Sequence, residues 1–539
     1  MTDSKLNRRN FAKLTAASLV APMAASASEQ HTDLCVYGAT ASGIMTAVTA
    51  SKDGWKVTII ESSRWLGGMT GGGLDHVDWG REEAVGGSTR PILERELGDA
   101  GYRELFQQML AEHGVEVIYE HRLNAVRKAG TTIEAIELDH APPDETGCPV
   151  AEPQTARALT IAAKVFVDCS YEGDLMAAAG VSCTWGRESR DEYGESLAGV
   201  RPNLWEYAID PYRTPGDPDS GLLPLLQDVE VNPLGAADKL TMGYCFRYKF
   251  TTEGNGWPLD PPEDYDPFDY EIFRRAFAGG VNLMAQRKMR FELGEITEQR
   301  SKPYLMNTGN LVRSLLTTTV YGCNAGYPDG DWATRSAIWK FHQTHLCGLT
   351  HFLRTDPAVP DELRAIATQV RLRPGPFDQT RGWPHQLYVR EARRMISDYV
   401  VTQHDMAGTK SPKDSVGLAS YGVDDFPYAT YAHNGGIALS GGEFSILYLP
   451  GPHNGIYRIP YSAIRPRARE CTNLLVPLCV SASHIAMTSI RMEPVWMILG
   501  ESAGFAASMA MKDRIPVQDV EYAELAERLR ELKQRLEPS

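Results

Sequence analysis

Gly38-Ala-Thr-Ala-Ser-Gly43, followed by Glu61, has the residue types and spacing to hold an ADP group. Gly38 permits a tight turn and Gly43 lets a helix approach a strand. The N-terminus of the helix that follows, with Ala41 and Ser42 in the turn before Gly43, offers free N–H groups to a pyrophosphate. Glu61 can accept hydrogen bonds from ribose hydroxyls, which suits an unphosphorylated ribose better than a 2′-phosphate. The middle glycine of the usual G-x-G-x-x-G is Thr40, so the motif is incomplete. A purely structural strand–turn–helix is its other reading. Past Glu61, glycine occupies five of the seven positions from 67 to 73, the run beginning Gly67-Gly68-Met69-Thr70. Such a loop lets the backbone approach a second, bulky part of a ligand. Farther on, Arg390 and Arg394 would share one face of a helix at i,i+4 spacing. They either clamp an anion together or join an ion-pair network with Glu391 or Asp398. His433 is a candidate proton-transfer group, since histidine titrates near neutral pH, or else a surface-loop histidine.

Elements must position these groups. Leu34–Tyr37 is a short apolar run that reads as a buried strand. Gly43–Ser51, rich in Ala, Met and Ile and closed by Asp53-Gly54, fits a helix. Val57–Ile60 is β-branched and apolar, the second strand of a parallel pair, and ends on Glu61. Residues 91–112 have a helical pattern, Gly114–Tyr119 reads as a strand, and Asn124–Arg127 with Thr132–Leu138 reads as a hairpin. Ala163–Asp168 is an apolar strand, after which Glu172-Gly173-Asp174 opens an Ala-rich helix. Carboxylates there are also ordinary capping chemistry. Tyr457–Tyr461 reads as a strand, Asn473–Val480 as a buried strand, and Ser481-Ala-Ser-His484 as the turn after it. From Arg491 a helix begins with Pro494 in its first turn. Gly500, Ala503, Gly504 and Ala507 give it a small-residue face. Leu525, Leu529, Leu532 and Leu536 form an amphipathic stripe, read as a helix docked on the surface.

The stretches GATASG, ESSRWLGGMTGGGL, VDCSYEGDLMAAAGV, YVREARR and SASHIAMTSIRMEPVWMILGESAGFAAS span residues 33 to 511. Together they resemble the FAD-dependent oxidoreductase family related to fumarate reductases and tricarballylate dehydrogenases. The resemblance implies an α/β fold: a Rossmann-like FAD-binding domain of glutathione-reductase type with a parallel sheet and an inserted α+β substrate domain. On that basis residues 28–186 and 431–515 form the FAD-binding domain, 187–430 the substrate domain, and 516–539 a C-terminal helix. FAD would lie extended, its ADP half on Gly38–Gly43 and Glu61. Its ring would sit between Gly67–Gly73 and the helix starting near Pro494 and Val495, whose N-terminus stabilises negative charge on reduced flavin. Val126 would lie beside the adenine, and Asp168 and Asp174 on a second FAD-contacting turn. His76 would touch or covalently tether the ring, or be hydrogen-bonded locally.

The activity so implied is hydride transfer from a small carboxylate or hydroxylated, sugar-like substrate to flavin N5. Electrons would pass to an unidentified, non-nicotinamide acceptor. The catalytic candidates are His484, Arg491, Arg390 and His433, the arginines as anion clamps and the histidines for proton transfer. A NAD(P)H-dependent monooxygenase is the first alternative, disfavoured by the lack of a second dinucleotide fingerprint. A redox-silent flavin isomerase or lyase, or an electron-relay protein, is the second.

A chain of 539 residues exceeds one core. Its formal net charge of −15, without a basic run, argues against a nucleic-acid partner. Nine scattered cysteines lack metal-ligand spacing, so no metal site is expected. At the N-terminus, Arg8-Arg9-Asn-Phe-Ala-Lys13 matches a twin-arginine export signal. Leu14–Ala25 is too short and too rich in Ala and Ser to span a membrane, and Ala25-Ser26-Ala27 is a cleavage site. Residues 1–27 are therefore expected to engage the twin-arginine export machinery and deliver a folded protein to the periplasm.

Overall fold

The computed structural model describes residues 28–74, 76–281, 315–442 and 446–538. The expected export signal, residues 1–27, lies outside them. At the centre is a five-stranded parallel sheet in the spatial order Leu474–Leu475, Val165–Asp168, Leu34–Tyr37, Val57–Ile60, Glu116–Ile118. Its three middle strands are buried along their whole length, as expected of short apolar runs covered on both faces. The expected strand Asn473–Val480 is only two residues long, Leu474–Leu475, and the rest continues buried but irregular.

The helix Ala41–Lys52 packs directly on the helix Glu493–Asp513. A Cβ on Gly500 would stand 2.2 Å from the Ser42 carbonyl oxygen, and one on Gly504 2.6 Å from that of Thr46. The Thr46 hydroxyl donates to the Gly500 carbonyl at 2.9 Å. The small-residue face thus serves helix–helix contact.

A four-stranded sheet, ordered Ser28–His31, Thr155–Ala162, Thr132–His140, His121–Ala129, contains the expected hairpin. The intervening region, between the strands Val165–Asp168 and Leu474–Leu475, carries the helix Trp332–Thr355, capped by Asp331 onto the Thr334 amide, and a three-stranded sheet that reaches past residue 430. That sheet pairs Trp205–Tyr207 with Gly436–Leu439, and Gly436–Leu439 with Thr430–His433. Tyr457–Pro460 is a strand, but it pairs with Ser415–Ala419 outside the parallel sheet.

Four local expectations are corrected. The helix over 91–112 is two, Thr89–Leu93 and Asp99–Glu112, because Glu96 adopts a left-handed φ of 47° and breaks the turn. His484 opens its own helix, His484–Ile490, capped by Ser483 onto the Ala486 amide. The leucine stripe holds at Leu525 and Leu529, but the helix ends at Glu531 and leaves Leu532 exposed; Leu536 returns to the core beyond it. The stretch 387–398 is extended, not helical, with only Arg394–Met395 in a ladder, against Cys183–Thr184. Its nine residues 387–395 are all buried. A helix would crowd three guanidiniums, whereas an extended chain delivers each to a different partner.

Candidate functional site

The strand Leu34–Tyr37 ends on Gly38, whose φ of +101° suits glycine alone; a Cβ there would lie 2.7 Å from the Cys169 carbonyl oxygen. A Cβ on Gly43 would meet the Gly38 carbonyl oxygen at 2.0 Å. Thr40 explains the departure from the glycine pattern. Its hydroxyl accepts from the Gly43 amide at 3.2 Å and donates to the Cys169 carbonyl at 2.9 Å, capping Ala41–Lys52 and tying the turn to the neighbouring strand. Ala41 and Ser42 form the first turn. The Ser42 hydroxyl faces Gly500, so the backbone amides are what this turn offers an anion.

Glu61 closes the strand Val57–Ile60. One carboxylate oxygen accepts from the Ala39 amide and the other from the Ser63 amide, both at 2.8 Å. Burial raises its pKa against these bonds. Glu61 and Gly38 line one cavity with Tyr37, Thr40, Tyr171 and His385.

Asp168 accepts from the Ser170 amide and hydroxyl and the Met176 amide, and burial raises it to about 6. Asp174 opens the helix Asp174–Ala178 and receives Arg335 through both oxygens, at 2.6 and 2.8 Å, and Arg393 at 2.8 Å. Burial works against its charge, but the two arginines outweigh it and hold Asp174 below the usual carboxylate range. Asp174 therefore latches the intervening region onto the parallel-sheet domain. Val126 sits half-buried in the hairpin, opposite Ile136. His76 is exposed.

The glycine-rich loop folds as a short helix, Gly68–Gly72, and meets the N-terminus of Glu493–Asp513 through a buried node. The Thr70 hydroxyl donates to Glu493 at 2.6 Å and the Tyr171 hydroxyl at 2.8 Å, while Tyr171 accepts from the Met69 amide. Burial pushes Glu493 up to about 7. Pro494 and Val495 are buried in this first turn. Glu493 and Tyr171 escape sequence reasoning; their one signal is adjacency to Pro494 and to Glu172-Gly173-Asp174.

Three of the four catalytic candidates converge. Arg390 donates through Nε to the Gly243 carbonyl at 2.8 Å and lies 3.6 Å over the Phe426 ring and 4.4 Å over Tyr388. Arg491 donates to the Tyr388 hydroxyl at 3.1 Å and to Asp424 at 2.8 Å. Next to Asp424, Asp425 accepts from the Tyr428 hydroxyl, which in turn contacts His484 Nε2. His484 Nδ1 lies 2.8 Å from Glu391. Burial disfavours an imidazolium, yet Glu391 and Asp425 outweigh it and raise His484 to about 9. The two carboxylates thus favour the protonated imidazole, and both ring nitrogens are engaged.

Arg394 does not join Arg390 but pairs with Glu188 and Glu391, the ion-pair reading of this segment rather than the shared clamp. His433 stands apart at the tip of a hairpin, 3.5 Å from Glu206. Glu391, Tyr388 and Tyr428 complete the cluster, and only the first two stood near a residue marked by sequence.

Among the described residues, no group of three or more His, Cys, Asp or Glu could hold a metal ion, and no helix is long and apolar enough to cross a membrane.

A family model described as "FAD dependent oxidoreductase" matches residues 33–529. No curated protein matches the chain. Among solved structures, Thermovibrio ammonificans THI4 is similar at 16% identity, with 29% of this chain and 66% of that chain covered and a TM-score of 0.22. CabE, an aromatic hydroxylase from angucycline biosynthesis, is similar at 17% identity, covering 30% of this chain and 35% of that one, with a TM-score of 0.21. T. acidophilum thioredoxin reductase is similar at 18% identity, covering 26% and 34%, with a TM-score of 0.17. The chain spans less than two thirds of the length of each.

Proposed function

Because the chain belongs to the FAD dependent oxidoreductase family and takes FAD as its cofactor, we propose that it oxidises a small anionic substrate. That substrate is a carboxylate, or a hydroxylated compound that carries one, and the electrons leave for an acceptor other than a nicotinamide. In this reading the chain resembles the fumarate reductase and tricarballylate dehydrogenase type of flavoprotein.

The residues present fit the cofactor's ADP end. Gly38 and Gly43 form a cradle that any Cβ would fill. The first-turn amides of Ala41–Lys52 suit a pyrophosphate, and Glu61 suits ribose hydroxyls. When bound, FAD supplies two-electron acceptance.

The observation that carries the substrate class is the convergence of Arg390 and Arg491 on the ring of Tyr388, from segments a hundred residues apart. Two buried guanidiniums on one aromatic ring favour a bound carboxylate. Arg491, held by Asp424, orients the group; Arg390, packed on Phe426, contributes the second charge. His484, drawn toward its protonated form by Glu391 and Asp425, serves as a fixed positive charge beside the site and not as the base; the proton released with the hydride passes to solvent. The N-terminus of Glu493–Asp513 favours negative charge beside the glycine-rich loop.

The test is anaerobic mixing of holoenzyme with a panel of carboxylates and their neutral amides or esters, read by loss of flavin absorption. Carboxylates that bleach the flavin, with KM raised roughly tenfold or more in Arg390→Met, support the proposal. Bleaching by neutral analogues alone would remove the anion clamp. Rapid NADH oxidation by the pure protein would favour the monooxygenase instead.

The reading also includes export by the twin-arginine route to the periplasm. Retention of the protein in the cytoplasm on replacing Arg8 and Arg9 by Lys tests it, and unaltered export counts against it.

A further inference from the structure

His385 lines the same cavity as Gly38, Thr40 and Glu61. It is 4% exposed, and neither ring nitrogen has a hydrogen-bond partner in the protein. Leaving two such atoms dry costs stability unless a ligand satisfies them. Its ring is fixed by packing alone: it stacks on Trp65 at 4.0 Å and 20°, and meets Phe377 edge-on at 4.9 Å. Trp65 is itself held through Nε1 to Gln379 at 3.2 Å. The neighbouring backbone is anchored on the glycine-rich loop, where the Gln386 amide donates to the Gly72 carbonyl at 3.0 Å. His385 therefore reaches a cavity shared with Gly38, Thr40 and Glu61, although it comes from the intervening region.

We propose that His385 is a cofactor-binding residue that recognises the adenosine half of FAD, donating one hydrogen bond and accepting another. This rests on the FAD reading above. Adenosine has the complementary groups: an amino donor beside ring-nitrogen acceptors, and hydroxyls that can do either. A phosphate offers only acceptors. The imidazole is also held neutral, since burial, reinforced by the nearby Arg103 charge, lowers its pKa to about 2. A neutral imidazole carries one N–H and one lone pair, a poor match for an anion and a match for either end of the cofactor; Glu61, which suits the ribose of the ADP half, lines the same cavity and assigns His385 to the adenosine end. Trp65 and Phe377 set the ring's plane, so little order remains to be gained on binding. The consequence is that a residue of the intervening region closes the nucleotide site.

The experiment uses full-chain holoenzyme of the wild type, His385→Phe and His385→Asn. FAD release on dilution is read by flavin fluorescence, and the stripped proteins are then titrated with FAD and with FMN, which lacks adenosine. Phenylalanine keeps the stack and loses both hydrogen bonds; asparagine keeps a donor and an acceptor. The proposal expects FAD affinity to fall roughly ten- to a hundredfold in His385→Phe, with His385→Asn nearer the wild type. FMN affinity should be the same in all three. Stripped His385→Phe should melt no lower than the stripped wild type, because two unsatisfied buried atoms are gone. Unchanged FAD affinity in His385→Phe overturns the proposal, and so does an equal loss of FMN affinity. A wild type that binds no FAD at all sinks the FAD reading and the proposal with it, a result separate from either.

Discussion

Replacing His484 by Asn should flatten the pH dependence of stability at the alkaline end. His484 is raised from its ordinary value of 6.5 to about 9 because Glu391, 2.8 Å from Nδ1, and Asp425 outweigh the cost of burial. A group raised on folding binds its proton more tightly in the folded state. Its contribution is fully present below pH 6.5 and is lost as the pH rises through about 9. At about 1.4 kcal/mol for each pH unit, the full contribution is on the order of 3 kcal/mol. Unfolding entropy for a chain of this size is roughly 1 kcal/mol per kelvin, so the effect amounts to about 3 °C in the melting midpoint. The assay is the midpoint of wild type and His484→Asn, both FAD-loaded, at pH 6 and pH 9.5. The wild-type advantage should shrink by about 3 °C between the two. An advantage that stays constant, or grows at pH 9.5, refutes the reasoning, because it would mean that folding does not raise the pKa of the imidazole.

Glu493 leads to a second pH effect, at lower pH. Its folded value of about 7 exceeds the ordinary 4.5, so its contribution is present below 4.5 and lost as the pH rises through 7. Glu493→Gln, which mimics the protonated acid, should gain on the wild type between those values by up to roughly 3 kcal/mol, read as relative melting midpoints. Asp174→Asn strands two arginines, of which the Arg335 side chain is 3% exposed, and should cost roughly 3–5 kcal/mol and speed proteolysis of the intervening region. Gly43→Ala places a Cβ 2.0 Å from the Gly38 carbonyl oxygen. It should yield protein without flavin absorption; a yellow Gly43→Ala holoenzyme would show that the turn can relax.

Legibility followed range. Leu34–Tyr37, Ala41–Lys52, Val57–Ile60 and Glu61 form a unit whose hydrophobic runs, glycines and acid lie within thirty residues, and the sequence marks it clearly. The close-packed helix announces itself through Gly500 and Gly504, since spacing alone places both on one face. The arginine segment misleads for the opposite reason. Arg393 meets Asp174 from 219 positions away and Arg394 meets Glu188 from 206, and no local pattern reports such partners. Local spacing suggests a helix, and the distant acids pull the chain straight. His484 was found by position, but its charge depends on Glu391, 93 residues earlier. His433 looks equally reactive by type, yet its strand pairing carries it to an exposed tip. His385 has no motif at all; only its burial and its two idle nitrogens single it out.

The pairing of Leu474–Leu475 with Phe166–Val167 has a consequence for how the protein is made. About 300 residues separate the two strands, so at 5–20 residues per second a ribosome takes roughly 15–60 s to produce the second after the first. For that time the sheet keeps an open edge, the kind of surface on which nascent chains associate wrongly. The helix that covers Ala41–Lys52 arrives later still. The sheet beneath the nucleotide site is therefore completed only when the strand Leu474–Leu475 has been made. Chaperone demand should track the distance between those two strands, and a circular permutant that brings them close in sequence should load its cofactor sooner.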